Sequence, residues 1–153
     1  MNWAEFEGLE PELAALGRER FARTGMAMLG TLRRDGSPRV TPLEVFIVRG
    51  EMMLGMIWQS MKALDLVRDP RVVVHSIVTA KAGTDGEFKL RGWARDVTDP
   101  ELREAYGDAL WEDQQWRPEE PYHLFAVDID EVAYVVFEGE EKRVRMWRVN
   151  GGS

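Results

Sequence analysis

The chain has 153 residues, the usual size of one domain, and its 27 acidic and 20 basic residues give a formal net charge of −7. This acidic balance argues against nucleic-acid binding, because such proteins need a basic surface to displace counterions from phosphates. The sequence contains no cysteine and only two histidines. Disulfides and thiolate chemistry are therefore excluded, and too few side chains remain for a convincing metal site.

Signals of membrane insertion and export are also missing from the sequence. No apolar run approaches the roughly 20 residues that span a bilayer. The amino terminus, MNWAEFEGLEPE, lacks the basic start of a secretory signal. We therefore expect a soluble, cytoplasmic protein without a membrane partner, built as one domain over residues 1–153. Residues 1–10 are predicted to be a leader and residues 150–153 a frayed end.

An amphipathic helix is predicted over residues 11–23, because Pro11 suits the first position of a helix and apolar residues follow at helical spacing. The acidic leader before it carries three apolar residues, Trp3, Phe6 and Leu9. We expect these to pack on the body of the protein. An arm that reaches a partner subunit is the alternative.

Three strands follow as a predicted antiparallel meander over residues 26–32, 38–48 and 52–58. The Asp35-Gly36 pair between the first two tolerates the positive φ angles of a tight hairpin. Pro42 has no N–H for sheet pairing. Its part of the strand is therefore expected at a sheet edge or beside a ligand.

At Gln59 the strand pattern stops, and residues 61–68 have the period of a short helix with Ser60 as its N-cap. The β-branched run over residues 71–78 predicts a strand that is buried on both faces. Residues 80–86 are expected to form a flexible loop.

Strands also dominate the rest of the chain. A strand is predicted over residues 87–97, and a helix runs from Pro100 to near Trp111. Three further strands are expected over residues 122–128, 132–137 and 144–149. The total is roughly eight strands and three helices, which predicts a mainly β (α+β) fold. An antiparallel barrel with short flanking helices is the most economical arrangement, because closure removes exposed edges.

The short polar insert Gln59-Ser60-Met61-Lys62 is the strongest functional signal. A helix N-terminus presents free N–H groups and a partial positive charge, so it is a natural seat for a phosphate. Lys62 would add a full charge. On spacing alone, Ser60 is more simply a helix cap. The nearby strand with Arg39 and Thr41 favours the phosphate interpretation.

Several motifs together resemble one family, the pyridoxamine 5′-phosphate oxidase-like flavin- and deazaflavin-binding split β-barrels. The motifs are Gly30-Thr31-Leu32-x-x-Asp35-Gly36-x-Pro38-Arg39-Val40, then Ser60-x-Lys62-x-x-Asp65-Leu66, then Asp69-Pro70-Arg71-Val72 and Gly92-Trp93-Ala94. The resemblance covers about residues 13–150. It implies an FMN-binding split barrel that forms a homodimer with the cofactor at the interface.

The resemblance also implies which residues contact the cofactor. In similar proteins the second strand follows the phosphate tail and the ring, the end of the third strand faces the isoalloxazine, and the Ser-x-Lys turn holds the phosphate. The corresponding residues here are Arg39, Val40, Thr41, Pro42, Met56, Ile57, Trp58, Ser60, Met61 and Lys62. Met61 stands where many members have arginine. Carboxy-terminal residues of the partner close the cleft in this family, and the candidates here are Phe137, Arg145, Trp147 and Arg148.

These implications lead to a hypothesis of an FMN-dependent oxidoreductase that acts on an unidentified small organic substrate. Pyridoxamine phosphate itself is not expected, because Glu44 stands where a lysine would help to hold it. Two alternatives remain open. One is an F420-dependent reductase whose Lys89, Arg91 and Arg95 meet the acidic tail of that cofactor. The other is a non-enzymatic module that binds flavin or haem, for which His75 is a conceivable ligand, although a core histidine is the simpler interpretation.

Overall fold

Eight strands and four helices form the part of the chain that the computed structural model describes, residues 1–150. The strands are β1 (Met26–Leu32), β2 (Pro38–Glu44), β3 (Phe46–Val48), β4 (Glu51–Ile57), β5 (Arg71–Ser76), β6 (Glu87–Asp96), β7 (Tyr122–Glu138) and β8 (Glu141–Arg148). The helices are α1 (Trp3–Leu9), α2 (Pro11–Thr24), α3 (Met61–Arg68) and α4 (Pro100–Gln114).

The sheet closes on itself because one continuous segment supplies both of its ends. Its hydrogen-bonded order is β2-β1-β5-β6-β7-β4-β3, and β8 pairs with β7 off this path. Only Val45 separates β2 from β3 in the chain, so the chain passes directly from one end strand to the other, and the sheet must curve round to bring these two ends together. Every pairing is antiparallel, which confirms the predicted mainly β barrel.

Three predicted strands, over residues 38–48, 122–128 and 132–137, were divided wrongly. The single strand over residues 38–48 is split at Val45, because its first part pairs with β1 and its second part with β4. Conversely, the strands predicted over 122–128 and 132–137 are one strand, β7. β7 continues because β6 pairs with it along most of its length, with a shift of register between Arg91 and Gly92.

The strand over residues 71–78 is shorter and more exposed than predicted. β5 ends at Ser76, and its side chains alternate, with Val72 and Val74 buried and Val73 40% exposed. One face of this strand is therefore open in the isolated chain. By contrast, Pro42 lies on β2, whose only partner strand within residues 1–150 is β1, so its predicted edge position is confirmed.

The predicted leader is a helix that completes the core. α1 begins with a capping box between Asn2 and Glu5. Trp3 and Phe6 are fully buried, and the Trp3 ring lies 6.2 Å from that of Phe88 on β6. Leu9 is exposed. The prediction that Trp3 and Phe6 pack on the body of the protein is confirmed. Residues 151–153, which belong to the predicted frayed end, lie outside the described residues.

The connection between β5 and β6 is anchored by hydrogen bonds, where a flexible loop was predicted. Asp85 accepts hydrogen bonds from the backbone N–H groups of Thr79 and Ala80 and from the Thr79 hydroxyl. The buried guanidinium of Arg20 on α2 lies 3.8 Å from Asp85. These contacts fix the connection against α2.

Candidate cofactor-binding site

Two contacts bring the strand β2 and the amino end of α3 together at one place. Lys62 Nζ lies 3.4 Å from the backbone oxygen of Pro42, to which it donates a hydrogen bond. Arg39 Nε donates to Asp65 Oδ2 over 2.6 Å. The two predicted parts of the phosphate site, residues 39–42 and 60–62, are thus neighbours in the fold although 18 or more positions separate them in the sequence.

Asp65 is the buried centre of this region. Its side chain accepts from Arg39, from the Thr31 hydroxyl at 2.8 Å and from Arg68 Nη2 at 3.0 Å, and the residue is 2% exposed. Burial acts to raise the pKa of Asp65, but the hydrogen bonds from Arg39, Thr31 and Arg68 outweigh it and hold the pKa below the usual value. Asp65 is therefore ionised at neutral pH, and its charge is compensated.

Two hydroxyl groups at this place are buried and have no hydrogen-bond partner within residues 1–150. They are Thr41 Oγ1 on β2 and Ser60 Oγ at the start of α3. Ser60 occupies the N-cap position with extended backbone, as predicted, but its side chain makes no capping hydrogen bond. A buried hydroxyl without a partner costs about 1–3 kcal/mol. Both groups are consequently suited to donate to an anionic ligand.

Lys62 supplies a cation two residues after Ser60, and it contacts Pro42, the residue after Thr41. Its side chain is partly buried, and desolvation lowers the pKa of Lys62 from its ordinary value. Met61, the residue where many family members have arginine, is 61% exposed. Val40 is likewise exposed. Thr41, Ser60, Lys62 and the α3 N-terminus are thus donors of the chemical kinds that suit a phosphate, with fewer cations than in many relatives.

The end of β4 divides into a buried and an open part. Met56 is 4% exposed and belongs to the core, whereas the next residue, Ile57, is 81% exposed. Trp58 is half exposed, and its indole stacks on the imidazole of His123. Of the residues predicted to face the ring, Ile57 and Trp58 present side chains at the surface, and Met56 does not.

Two cavities meet at Trp58. One has a volume of about 630 Å³ and is lined by Trp58, Tyr122, His123 and Phe125 together with residues of α3 and β6. The other, of about 340 Å³, is lined by Ile57, Trp58 and Tyr122 together with residues of α4 and the segment after it. Open space suited to a small organic molecule therefore adjoins the exposed end of β4.

His123 was missed as a site residue in the sequence analysis. It pairs with Met56 across β4 and β7, and Phe125 follows on the same face two residues later. Its Nε2 atom is buried and has no hydrogen-bond partner within the described residues. The alternation His123-x-Phe125 was the available signal, but only the pairing with β4 places it beside Trp58.

Trp147 lies elsewhere. It is 7% exposed, and its ring centroid is 5.1 Å from that of Phe6 on α1. Arg145 is directed toward Glu10 and Glu12 at 3.7 and 3.5 Å. Because the Trp147 indole is enclosed in the core of its own chain, its position does not support the predicted role in closing a cofactor cleft.

Comparison with known proteins agrees with this geometry. The sequence model of the pyridoxamine 5′-phosphate oxidase family matches residues 14–136, and the chain belongs to that family. None of the curated proteins matches.

Solved structures with low sequence identity share the fold. A haem-binding protein from Mycobacterium smegmatis aligns with a TM-score of 0.71 at 19% identity, over 90% of this chain and 58% of its own. A pyridoxamine 5′-phosphate oxidase-related, FMN-binding protein from Nostoc punctiforme aligns with a TM-score of 0.67 at 15% identity, over 95% and 91%. A NimC/NimA family protein from Clostridium acetobutylicum aligns with a TM-score of 0.63 at 15% identity, over 87% and 94%.

The chain is thus a split β-barrel of the pyridoxamine 5′-phosphate oxidase type. No helix within residues 1–150 is long and apolar enough to cross a membrane.

Proposed function

We propose that the protein binds FMN and acts as an oxidoreductase on a small organic substrate. The observation that carries this proposal is that the buried hydroxyls Thr41 Oγ1 and Ser60 Oγ have no hydrogen-bond partner within residues 1–150. Lys62, at the N-terminus of α3, contacts Pro42, the residue after Thr41. Hydroxyls, an ammonium group and helix N–H groups are three kinds of phosphate donor, and in this proposal they bind one phosphate together.

In this proposal each part of the site has a defined task. The hydroxyls of Thr41 and Ser60 donate to the phosphate, and Lys62 balances its charge. Ile57 and Trp58 lie against the ring system, and the cavities on either side of Trp58 receive the substrate. The flavin, when bound, supplies the hydride chemistry. We assign no catalytic acid or base.

A substrate other than pyridoxamine phosphate is proposed. Glu44 stands where a lysine would assist a substrate phosphate, and its carboxylate accepts a hydrogen bond from Gln114 on α4 at 2.7 Å. Glu44 lines the cavity of about 340 Å³ beside Trp58. Its negative charge repels a phosphate group and therefore disfavours a substrate that carries one. A neutral or cationic substrate suits this lining.

The absorption spectrum of the purified protein tests the proposal directly. Binding of FMN should be visible as a flavin band in the protein fraction, or as quenching of flavin fluorescence when FMN is added to flavin-free protein. Anaerobic reoxidation of the reduced complex by small quinones and nitro compounds then tests the oxidoreductase activity. A protein that neither retains nor binds flavin contradicts the proposal.

F420-dependent reduction is the second candidate on this fold, since the same turn would serve its phosphate. The proposed contacts for its acidic tail are weakened by the ion pairs that Lys89, Arg91 and Arg95 already form on β6. Their partners are Glu87 for Lys89, Asp130 and Glu131 for Arg91, and Glu51 and Asp128 for Arg95. Competition between FMN and F420 in one titration distinguishes the two cofactors.

A non-enzymatic haem-binding module is the third candidate, because the Mycobacterium smegmatis neighbour is described as a haem-binding protein. His75, the ligand considered from the sequence, has its Nδ1 atom 2.6 Å from the carbonyl oxygen of Ser76. This local contact favours a structural role for His75. If haemin binds, replacement of His75 should therefore leave the position of its Soret band unchanged.

We also propose a homodimer in the cytoplasm. The support for a dimer is an apolar groove of about 290 Å³ on the outer face of the barrel, which Val73 on β5 and Trp93 on β6 help to line. These side chains are 40% and 50% exposed in the single chain, as in a surface that a partner covers. Light scattering of the purified protein measures the oligomeric state, and a monomeric mass contradicts the dimer.

A further inference from the structure

The buried carboxylate of Asp65 uses its two oxygens differently. Oδ2 accepts from Arg39 Nε at 2.6 Å and from the Thr31 hydroxyl at 2.8 Å, whereas Oδ1 accepts from Arg68 Nη2 at 3.0 Å. The three donors come from β2, β1 and α3. Each of these bonds involves an ionised carboxylate and is therefore stronger than a bond between neutral groups.

Arg39 is only partly used by this contact. Its side chain is 17% exposed, and only Nε has a hydrogen-bond partner within residues 1–150. A guanidinium is planar and carries five N–H donors in a fixed fork, so fixing Nε restricts the plane of the whole group. The terminal nitrogens of Arg39 remain available for a second acceptor.

We infer that Asp65 is a positioning residue for the cofactor phosphate: it fixes the guanidinium of Arg39 through Nε and leaves the terminal nitrogens of that arginine free to bind the phosphate. This inference rests on the proposed function. Asp65 is not the sole link between α3 and β1, because Arg68 on α3 also donates from Nη2 to the backbone oxygen of Leu32 on β1 at 2.9 Å. A role in positioning Arg39 can therefore be tested apart from a role in holding these two elements together.

The variant Asp65→Asn tests this role, because it keeps the shape of the side chain and removes its charge. Affinities for FMN and for riboflavin are compared, since riboflavin has the same ring system without the phosphate. We expect FMN to bind about tenfold more weakly or worse, as is typical when a charge-assisted contact is lost. Riboflavin should bind as it does to the wild type.

Two further variants separate positioning from folding. Arg39→Lys keeps the positive charge and leaves Asp65 in place, but it removes the planar fork, so it should also weaken FMN selectively. In the double variant the two losses should not add, because they remove the same interaction. Arg68→Met is the matched control: it removes a partner of Oδ1 but leaves the bond between Arg39 and Oδ2. Its ratio of FMN to riboflavin affinity should equal that of the wild type.

The outcomes distinguish this inference from the proposed function. If Asp65→Asn and Arg39→Lys weaken FMN and riboflavin equally, Asp65 has a structural role and the inference is overturned. If the wild type binds no flavin, the proposed function fails. The effect of inorganic phosphate on the melting temperature then decides whether the inference about Asp65 and Arg39 holds. Phosphate stabilisation that is lost in Arg39→Lys and kept in Arg68→Met supports the inference. Absence of phosphate stabilisation in the wild type overturns it.

Discussion

The indole of Trp58 lies parallel to the imidazole of His123, with ring centroids 4.4 Å apart and an angle of 13° between the planes. The stack continues to Phe125, whose ring is 5.9 Å from that of His123. It therefore runs from the half-exposed Trp58 into the core. The contact fixes Trp58 directly after the exposed Ile57, at the position where we propose that the flavin ring lies.

Trp58 should accordingly report on flavin binding. We expect added FMN to quench tryptophan emission, and Trp58→Phe should remove most of this quenching because the indole lies beside the ring. Trp111→Phe is the control, since Trp111 on α4 has the same exposure, 48%, as Trp58. Equal loss of quenching in both variants would place the flavin elsewhere.

Thr41 and Thr31 should respond to the same substitution with opposite signs. Thr41→Val removes a buried hydroxyl that has no hydrogen-bond partner in the described part of the chain, so it should raise the free energy of unfolding of the flavin-free protein by about 1 kcal/mol. It should also weaken FMN binding several-fold. Thr31→Val removes a hydroxyl that donates to Asp65 and should lower the free energy of unfolding by about 1–3 kcal/mol. Urea denaturation measures both, and destabilisation by Thr41→Val would show that its hydroxyl has a partner in solution.

The amino-terminal helix should contribute strongly to stability. Trp3 is fully buried, with its ring centroid 5.4 Å from that of Phe6. Trp3→Ala leaves a large cavity and should cost about 3–5 kcal/mol of the free energy of unfolding. Leu9→Ala, on the same helix but at a position 62% exposed, should change it by less than about 0.5 kcal/mol. Similar small effects of both variants in thermal melts would show that α1 is not docked.

Gly92 should be intolerant of any side chain. A Cβ atom there would lie 1.9 Å from the backbone oxygen of Asp128 on β7, and a backbone oxygen cannot move aside as a side chain can. Gly92→Ala should therefore lower the free energy of unfolding by about 3 kcal/mol or more. Gly8→Ala is the control, because nothing lies within 4 Å of that Cβ position on α1. It should stabilise the protein by about 0.5–1 kcal/mol, and an equally mild effect at Gly92 would contradict the register shift.

Asp85 should stabilise the fold in a defined range of pH. The backbone N–H of Thr79, together with its hydroxyl and the N–H of Ala80, lowers the pKa of Asp85 to about 2. An unfolded aspartate titrates near pH ~4. The stabilisation is therefore complete above about pH 4 and is lost as the pH falls toward 2.

The variant Asp85→Asn isolates this effect. The difference in urea midpoint between wild type and Asp85→Asn should be largest near neutral pH and should shrink as the pH approaches 2. Asp113→Asn, at an exposed position on α4, is the control for loss of a carboxylate, and its urea midpoint near neutral pH should stay close to that of the wild type. A difference that stays constant down to pH 2 would show that the charge of Asp85 is not responsible.

Local features of the fold could be predicted because their causes are local. Asp35-Gly36 supplies the backbone conformation of the hairpin turn, and Gly36 has a φ of 84°. Pro11 opens α2, and Pro100 opens α4, both as predicted. Each of these depends on a few neighbouring residues.

The bounds of the strands could not be predicted in the same way. Residues 38–48 alternate like one strand, yet Val45 separates β2 from β3 because the two parts pair with opposite ends of the sheet. That break is set by closure of the barrel. The partners of a strand are remote in sequence, so a local pattern carries no information about which of them it meets.

The sequence by itself determined the order of most elements, the family and the position of the turn at Ser60 to Lys62, because spacing and residue type suffice for these. Only the tertiary structure decided what surrounds that turn. It brings Arg39 onto the buried Asp65 and sets His123 under Trp58. It also leaves the hydroxyls of Thr41 and Ser60 without hydrogen-bond partners among residues 1–150. The physical reason is that burial and hydrogen bonding arise from barrel closure, which joins residues far apart in the chain.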